Sequence, residues 1–506
     1  MKRFSLTGLL LMAAVLCFQV GCGAPAPPPS DSSQAPAVSA PEGSPVEPAL
    51  PFTLPFYPDY SLHPALAENR ANMALSSLLY EGLFTLDDTF TPKPVLCQSH
   101  SVSEDGLTWT FVLRQGVTFS DGTPLTGEVA AQALNTALGA GSRFAGRVSG
   151  LRAITGSQTS VTVTLTSPNG ALPALLDIPI SKDAGTRPAG TGPYRLTQSG
   201  NQYALTARAD WWQGQDGRFD TIHLFAIQQA DDLIAAFDSG DVTLLEADLT
   251  GTNTLGYSGS YEVWDYNTSD FLYLGFNTAK GYCRDAAARQ AISRGIDRNS
   301  ITTIPYARHA LPTSLPIHPD STLYDQELAD QAGYAPEVLA EFLRTNAAPK
   351  APLKLLVNSE NSAKSAAADY IAYQLQAAGL PVTVQKLPWD SFTAALRVGN
   401  FDLYLGEVRL TADFDLTALL SSGGSLNYSR WQDGQTDQLL AALRAAGSDT
   451  RPAAARALYQ SLFQQSPITP VCFKYGCVLT QWGRLTGLNP RQGDLFYGLN
   501  EWALDP

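Results

Sequence analysis

Along residues 107–113, Leu107, Trp109, Phe111 and Leu113 alternate with Thr108, Thr110 and Val112. A period of two following the turn pair Asp105-Gly106 predicts a half-buried strand, and the run from Val161 to Thr166 predicts another. Asp121-Gly122-Thr123-Pro124 breaks the chain between them, and Thr126 stands where it can cap a helix reaching about Leu138. Leu233, Ala236 and Phe237 have helical spacing before a stop at Gly240, after which 242–245 resumes extended. A second helical set, Ala288, Ala291, Ile292 and Gly295, follows the extended run 271–276. The clearest unit is a strand at 353–357, a helix at 362–378 with Ala366, Tyr370, Tyr373 and Ala377 on one face, a stop at Gly379, and a strand at 382–387. Phe392, Ala395 and Leu396 then mark a helix, and 401–405 a strand. This βαβαβ order implies an α/β fold with a largely parallel sheet and right-handed crossovers. Ligands of such sheets bind beyond the carboxyl ends of the strands, here from Gly406 onward.

The first fifty residues follow a different rule. Lys2 and Arg3 precede an uncharged apolar run from Phe4 to Val20 that ends at Gly21-Cys22, the order of a secretory signal. Gln19-Val20-Gly21-Cys22 resembles the lipobox of bacterial lipoproteins, with Gln19 where that pattern prefers Leu or Val. The resemblance implies removal of 1–21 and lipidation of Cys22, hence an extracytoplasmic chain anchored to the cell membrane. Residues 22–50 are dominated by Pro, Ala, Ser and Gly and contain no aromatic residue, so they read as a tether.

At 506 residues the chain has room for about three folding units. Its formal charge of −14, from 47 Asp+Glu against 33 Lys+Arg, argues against a nucleic-acid partner. There is no G-x-S-x-G elbow and no Gly-Lys dipeptide for a Walker A loop, and the five histidines show no zinc spacing. We therefore expect no enzyme, no cofactor and no metal site. Cys97, Cys283, Cys472 and Cys477 remain in the head. Cys472 and Cys477 flank 473–476, which reads as a hairpin loop whose ends either form a disulfide or hold two small buried thiols.

Glu81-Gly82-Leu83-Phe84, the stretch from Val102 to Phe111, Leu113-Arg114 and the stretch from Asp121 to Thr126 come in an order that resembles extracellular solute-binding protein family 5. Gly190-Thr191-Gly192-Pro193-Tyr194, Gly275-Phe276-Asn277-Thr278, Arg289-Gln290-Ala291-Ile292 and Ile296-Asp297-Arg298 extend the likeness, which covers about 50–490. Members are the dipeptide and oligopeptide receptors of ABC importers. The resemblance implies a type II periplasmic-binding-protein-like fold of two hinged lobes. Lobe 1 would span 51–265, with an extra subdomain at about 65–185, and lobe 2 would span 266–480. Residues 481–506 would return to lobe 1, and the hinge would lie near Tyr266 and Leu479. The implied partners are a peptide or other small solute, an ABC permease with its ATPase subunits, and the membrane through the lipid; the receptor itself would be a monomer. A sensor, a chaperone or a binder of a non-peptide solute on the same scaffold is the alternative.

The chain departs from the family pattern at Leu62-His63-Pro64 and Thr126-Gly127-Glu128-Val129, and from Gly406 to Asp415 it lacks the usual Trp. An acidic residue of that last segment meets the ligand's amino terminus in peptide-binding relatives. Asp413 is the nearest match and Asp415 the next. A zwitterionic ligand also needs a guanidinium and aromatic walls. Arg409 would take the ligand carboxylate, unless it pairs with neighbouring Glu407 or lies in solvent. Trp389, Tyr428 and Trp431 would be walls or core, Asp413 a ligand group or a helix cap, and Tyr57 and His63 contributions of the first lobe, with the surface as the other place for His63.

Overall fold

The computed structural model describes residues 51–214, 219–251, 256–257 and 259–504. The expected signal, the Cys22 anchor and the tether lie outside the described residues. No described helix is long and apolar enough to cross a membrane.

The chain enters as β1 (Thr53–Phe56) and then builds a satellite sheet of β2 (Cys97–Val102), β3 (Thr108–Leu113), β4 (Leu151–Gly156) and β5 (Ser160–Leu165), covered by α1 (Gly127–Leu138). The order is β2-β3-β5-β4, all antiparallel. Period-two alternation puts Trp109, Phe111 and Leu113 of β3 and Val161, Val163 and Leu165 of β5 into one core with Leu134 of α1. Thr126 caps α1 by accepting from the Val129 amide.

The chain returns as β6 (Tyr194–Ser199), β7 (Gln202–Ala207) and β8 (Thr221–Ala226), which order as β1-β8-β7-β6. Leu54, Phe56, Leu205 and Ile222 pack there with Trp502, whose indole fills the centre of this lobe. Next come α2 (Ala230–Asp238) and β9 (Leu244–Ala247).

A larger sheet follows from β10 (Tyr261–Phe276), β11 (Ala310–Pro312), β12 (Leu353–Asn358), β13 (Val382–Leu387), β14 (Leu403–Arg409) and β15 (Ile468–Gln481). With β9 its order is β9-β15-β10-β14-β12-β13, and β11 pairs with β15. β12 runs parallel to both β13 and β14, as the βαβαβ reading requires. Both faces are covered at the centre of this sheet, so the strands are almost continuously apolar there: Phe271, Tyr273, Leu356 and Tyr404 face one core, and Leu272, Leu274, Leu355 and Leu403 the other. Gly275 faces Tyr404, and Gly406 faces Tyr273, across the β10–β14 ladder; a Cβ at either glycine would fall inside the opposite ring.

β10 and β15 pair antiparallel from Tyr261↔Gln481 to Gly275↔Ile468, with register shifts between Asn267 and Phe271 and between Leu272 and Tyr273. On one side of the first shift they border β9 and the core around Leu54 and Trp502, on the other β14 and the core around Leu356 and Tyr404.

Two expectations are corrected here. Residues 473–476 are not a hairpin loop: they lie inside β15, Cys472 and Cys477 are both buried free thiols, and four residues of extended strand keep them apart. The helix α3 (Ser362–Ala377) buries Ala367, Ala368, Ile371 and Leu375, while Tyr373 is exposed. Ala and Tyr lie on both sides of this helix, and the face carrying Ile371 and Leu375 is the one that packs on the sheet.

Candidate functional site

A cavity of about 400 Å³ opens at the carboxyl ends of β12, β13 and β14, under the end of β9. Asp248 and Gly251 line it from the segment after β9. Facing them are Asn358 at the end of β12 and Glu360 after it, Asn361 and Lys364 at the start of α3, and Trp389 at the start of α4 (Trp389–Val398). Glu407, Val408 and Arg409 of β14 and Lys474 of β15 complete it. Such a crevice is where a parallel sheet exposes helix N-termini and unpaired strand ends.

Asn361 is the N-cap of α3, its Oδ1 accepting from the Lys364 amide at 2.9 Å. Its Nδ2 donates to the Thr250 carbonyl at 3.0 Å, a direct bond from α3 to the segment after β9. Glu360 accepts from the Trp389 amide at 2.6 Å and from Asn358 Nδ2 at 3.2 Å. Those donors hold its carboxyl below the usual range, the Trp389 amide first. The Trp389 ring is 55% exposed at the rim.

Two ion pairs order the floor. Arg409 grips Asp270 with two bonds of 2.7 Å, Nε to Oδ1 and Nη2 to Oδ2, the fork geometry that suits guanidinium to carboxylate. Lys474 Nζ donates to Glu407 Oε1 at 2.9 Å. Burial alone would pull the Lys474 ammonium down, but Glu407, Asp248 and Asp270 outweigh it and hold it above its ordinary value. Lys364 differs. It is 4% exposed, forms no ion pair or hydrogen bond through Nζ with any described residue, and lies 5.8 Å over the Phe392 ring. Burial brings it down to about 8, with Lys474 acting in the same direction and Glu407 and Glu360 opposing. Among the described residues the cavity thus holds one unpaired buried cation beside carboxylates already engaged, an arrangement that accepts an anionic group of a solute.

Of the residues expected from sequence, Trp389, Glu407 and Arg409 line this cavity. Arg409 pairs with Asp270 and not with Glu407, because β14 sends its side chain toward the adjacent strand β10, where Asp270 is the directly opposed residue. Asp413 is buried off the cavity: Thr411 Oγ1 donates to its carboxylate at 2.5 Å, and Arg451 donates to its backbone carbonyl at 3.1 Å. Burial, with Asp415 next, raises its pKa. Asp415 accepts from the Thr417 amide at 2.9 Å at the start of the short helix Thr417–Leu420. Trp431 is buried, donating to Thr436 Oγ1 at 3.1 Å, and Tyr428 packs edge-on against Tyr404. Tyr57 lines a separate cavity of about 170 Å³ between β1 and β9, which shares Asp248 with the cleft. His63 is buried, not superficial: its Nδ1 accepts from the Ala65 amide at 3.1 Å and its Nε2 lies 3.3 Å from Ser181 Oγ. Sequence reasoning missed Asp248, Glu360, Lys364 and Lys474. The strand-end rule that pointed to Gly406 points equally to the residues after 357 and 387, and following it there reaches Glu360, Lys364 and Trp389.

The sequence model of the bacterial extracellular solute-binding proteins, family 5 (middle), matches residues 91–427. A glutathione-binding protein of Escherichia coli O1:K1, GsiB, is 25% identical over 446 residues, spanning 81% of this chain and 86% of its own. HbpA2 from Haemophilus parasuis superposes with a TM-score of 0.75 at 20% identity, covering 90% of this chain and 99% of that one. The murein tripeptide-binding protein MppA, in an unliganded open form, gives 0.71 at 20% identity over 87% and 95% of the two chains. NikZ from Campylobacter jejuni, in complex with Ni(L-His), gives 0.63 at 16% identity over 90% and 100%. The fold is accordingly that of the two-lobed type II periplasmic binding proteins.

Proposed function

Because the chain belongs to family 5 of the bacterial extracellular solute-binding proteins, we propose that it captures a peptide or peptide-like zwitterion between its lobes and passes it unaltered to an ABC permease. Lipidation of Cys22 would hold it to the membrane, and 23–50 would let the head range above the anchor. The observation that carries this reading is the interlobe cavity with Lys364 unpaired at its second-lobe wall. A ligand shifts the open–closed balance only by binding the closed form more tightly, which requires it to touch both lobes at once. A carboxylate on Lys364 together with an ammonium toward Asp248 or Glu407 would bridge them in that way. The glutathione-binding relative suggests an acidic peptide as the first probe.

Native mass spectrometry of the chain lacking residues 1–22 should show a retained small solute, and scattering should show compaction with glutathione or with a tripeptide mixture. An empty cleft and an unchanged scattering profile with both would count against the proposal. Lys364→Met should weaken the bound carboxylate ligand at least tenfold, about 1.4 kcal/mol or more. Wild-type affinity should also fall as pH rises past about 8, where unliganded Lys364 loses its proton. Titration calorimetry at pH 7 and pH 9 checks both effects; a dissociation constant indifferent to the substitution would remove Lys364 from the site.

A further inference from the structure

On the face of the β10–β15 ribbon opposite Tyr266, Asp265 and Cys477 are directly paired across the ladder. Their partner is His309, just before β11. Its position is fixed from two directions: the Tyr475 amide donates to the His309 carbonyl at 3.1 Å, and Ala307 and Arg308 before it both have positive φ, 48° and 74°. Consecutive non-glycine residues in that region are costly, at about 1–3 kcal/mol each, and persist where the surroundings demand a particular side-chain placement. What they place is the imidazole. His309 Nδ1 lies 2.9 Å from Asp265 Oδ1, Cys477 Sγ lies 3.0 Å from the same oxygen, and Sγ to Nδ1 is 3.9 Å.

The order of these contacts excludes a nucleophilic triad, in which the imidazole must stand between thiol and carboxylate. Here the carboxylate stands between the other two. One carboxylate oxygen, one imidazole nitrogen and one thiol sulfur, all within 4.8 Å of one another, instead form one face of a coordination tetrahedron. Zinc bonds of about 2.0–2.3 Å to O, N and S set edges of roughly 3.3–3.6 Å, and the three observed separations bracket that length. We propose that Asp265, His309 and Cys477 bind a borderline divalent transition ion, Zn²⁺ foremost, with the fourth position open to water. A thiolate and a carboxylate neutralise its two charges, and Asp248 near Cys477 adds to the negative field. On binding, the Sγ–H bond breaks and a metal–sulfur bond forms; that proton leaves to solvent, while the imidazole moves its proton from Nδ1 to Nε2. The ion would fasten β11 and its approach loop to β10 and β15, with Asp248 between it and the solute cavity.

Cobalt(II) reports such a site through thiolate-to-metal charge-transfer absorption. The full chain, purified in detergent and stripped with EDTA, should gain that absorption to saturation at one equivalent of Co²⁺ and lose it on adding Zn²⁺. Cys477→Ser should abolish the band, His309→Ala should weaken Co²⁺ at least tenfold, and Cys283→Ser should leave it intact. Because His309 is partly exposed and its variant should fold, melting gives an independent reading: Zn²⁺ should raise the wild-type midpoint and not that of His309→Ala. Absence of the band at millimolar Co²⁺, its survival in Cys477→Ser, or equal zinc stabilisation of both chains would overturn the assignment.

Discussion

Replacing Arg289 with methionine is expected to lower the unfolding free energy by about 3–5 kcal/mol, because buried carbonyls left without a donor cost about 1–3 kcal/mol each. The guanidinium is 2% exposed and has no carboxylate partner among the described residues. Its N–H groups serve main-chain oxygens instead: Nη1 reaches Cys283 and Arg284, each at 2.9 Å, Nη2 reaches Gln465 at 2.6 Å, and Nε reaches Ser466 at 3.0 Å and Gln465 at 3.2 Å. Gln465 and Ser466 end the helix Arg451–Gln465, so the cation also meets the negative end of that helix. Arg289→Lys should recover less than half of the loss, since an ammonium cannot fork to two separated turns. Urea unfolding followed by circular dichroism measures both variants. A loss below about 1 kcal/mol for Arg289→Met would mean that water replaces the guanidinium without penalty.

The second large effect is a response to acid. His318 is fully buried between Phe90 and Phe473, with ring centroids 5.0 Å and 5.1 Å away, and its Nδ1 accepts from the Asp320 amide at 3.2 Å. Burial brings its pKa down to about 4, against the attraction of Asp320. In the unfolded chain the ordinary value near 6.5 returns. Between those values the unfolded state binds a proton that the folded state refuses, so stability falls as pH drops from about 6.5 to 4 and the contribution is complete above 6.5. The difference amounts to roughly 3 kcal/mol. Asp413 and Glu81, whose folded pKa values are raised by burial, act with the opposite sign. The wild-type curve is therefore a sum, and the His318→Leu variant isolates one part of it: the gap between wild type and variant should shift by about 3 kcal/mol from pH 7 to pH 4. Parallel curves would show that His318 is protonated within the fold.

What could be read before folding was whatever local chemistry determines. The alternation at 107–113, the cap at Thr126 and the stop at Gly379, which adopts φ 96°, each depend on neighbours a few residues away, and each is found where expected. Cys472 and Cys477 misled because the run between them, which ends at Gly476, reads as a hairpin loop. In the fold that glycine makes room for the Tyr266 ring across the ladder, so it marks a close approach inside a strand and not a reversal. The buried face of α3 could not be chosen from spacing alone, since the sheet that selects it comes from 353–358 and 403–409. The cavity was half legible for the same reason. Glu407, Arg409 and Trp389 belong to the βαβαβ segment whose strand ends the topology already singled out. Asp248 and Lys474 arrive from β9 and β15, elements whose pairing no local pattern announces.

The irregular step between Asn267 and Phe271 has a mechanical consequence. There a side-chain bond stands in for the ladder between β10 and β15, Thr268 Oγ1 donating to the Lys474 carbonyl at 2.6 Å, while Ser269 Oγ donates at 2.6 Å to the Leu410 carbonyl just past β14. A hydroxyl rotor follows its acceptor through a change of angle that would strain a fixed amide. If the proposed closure bends the molecule here, the pairing from Tyr261 to Asn267 and from Tyr273 to Gly275 would carry no strain, and the receptor would open and close without unzipping its own spine.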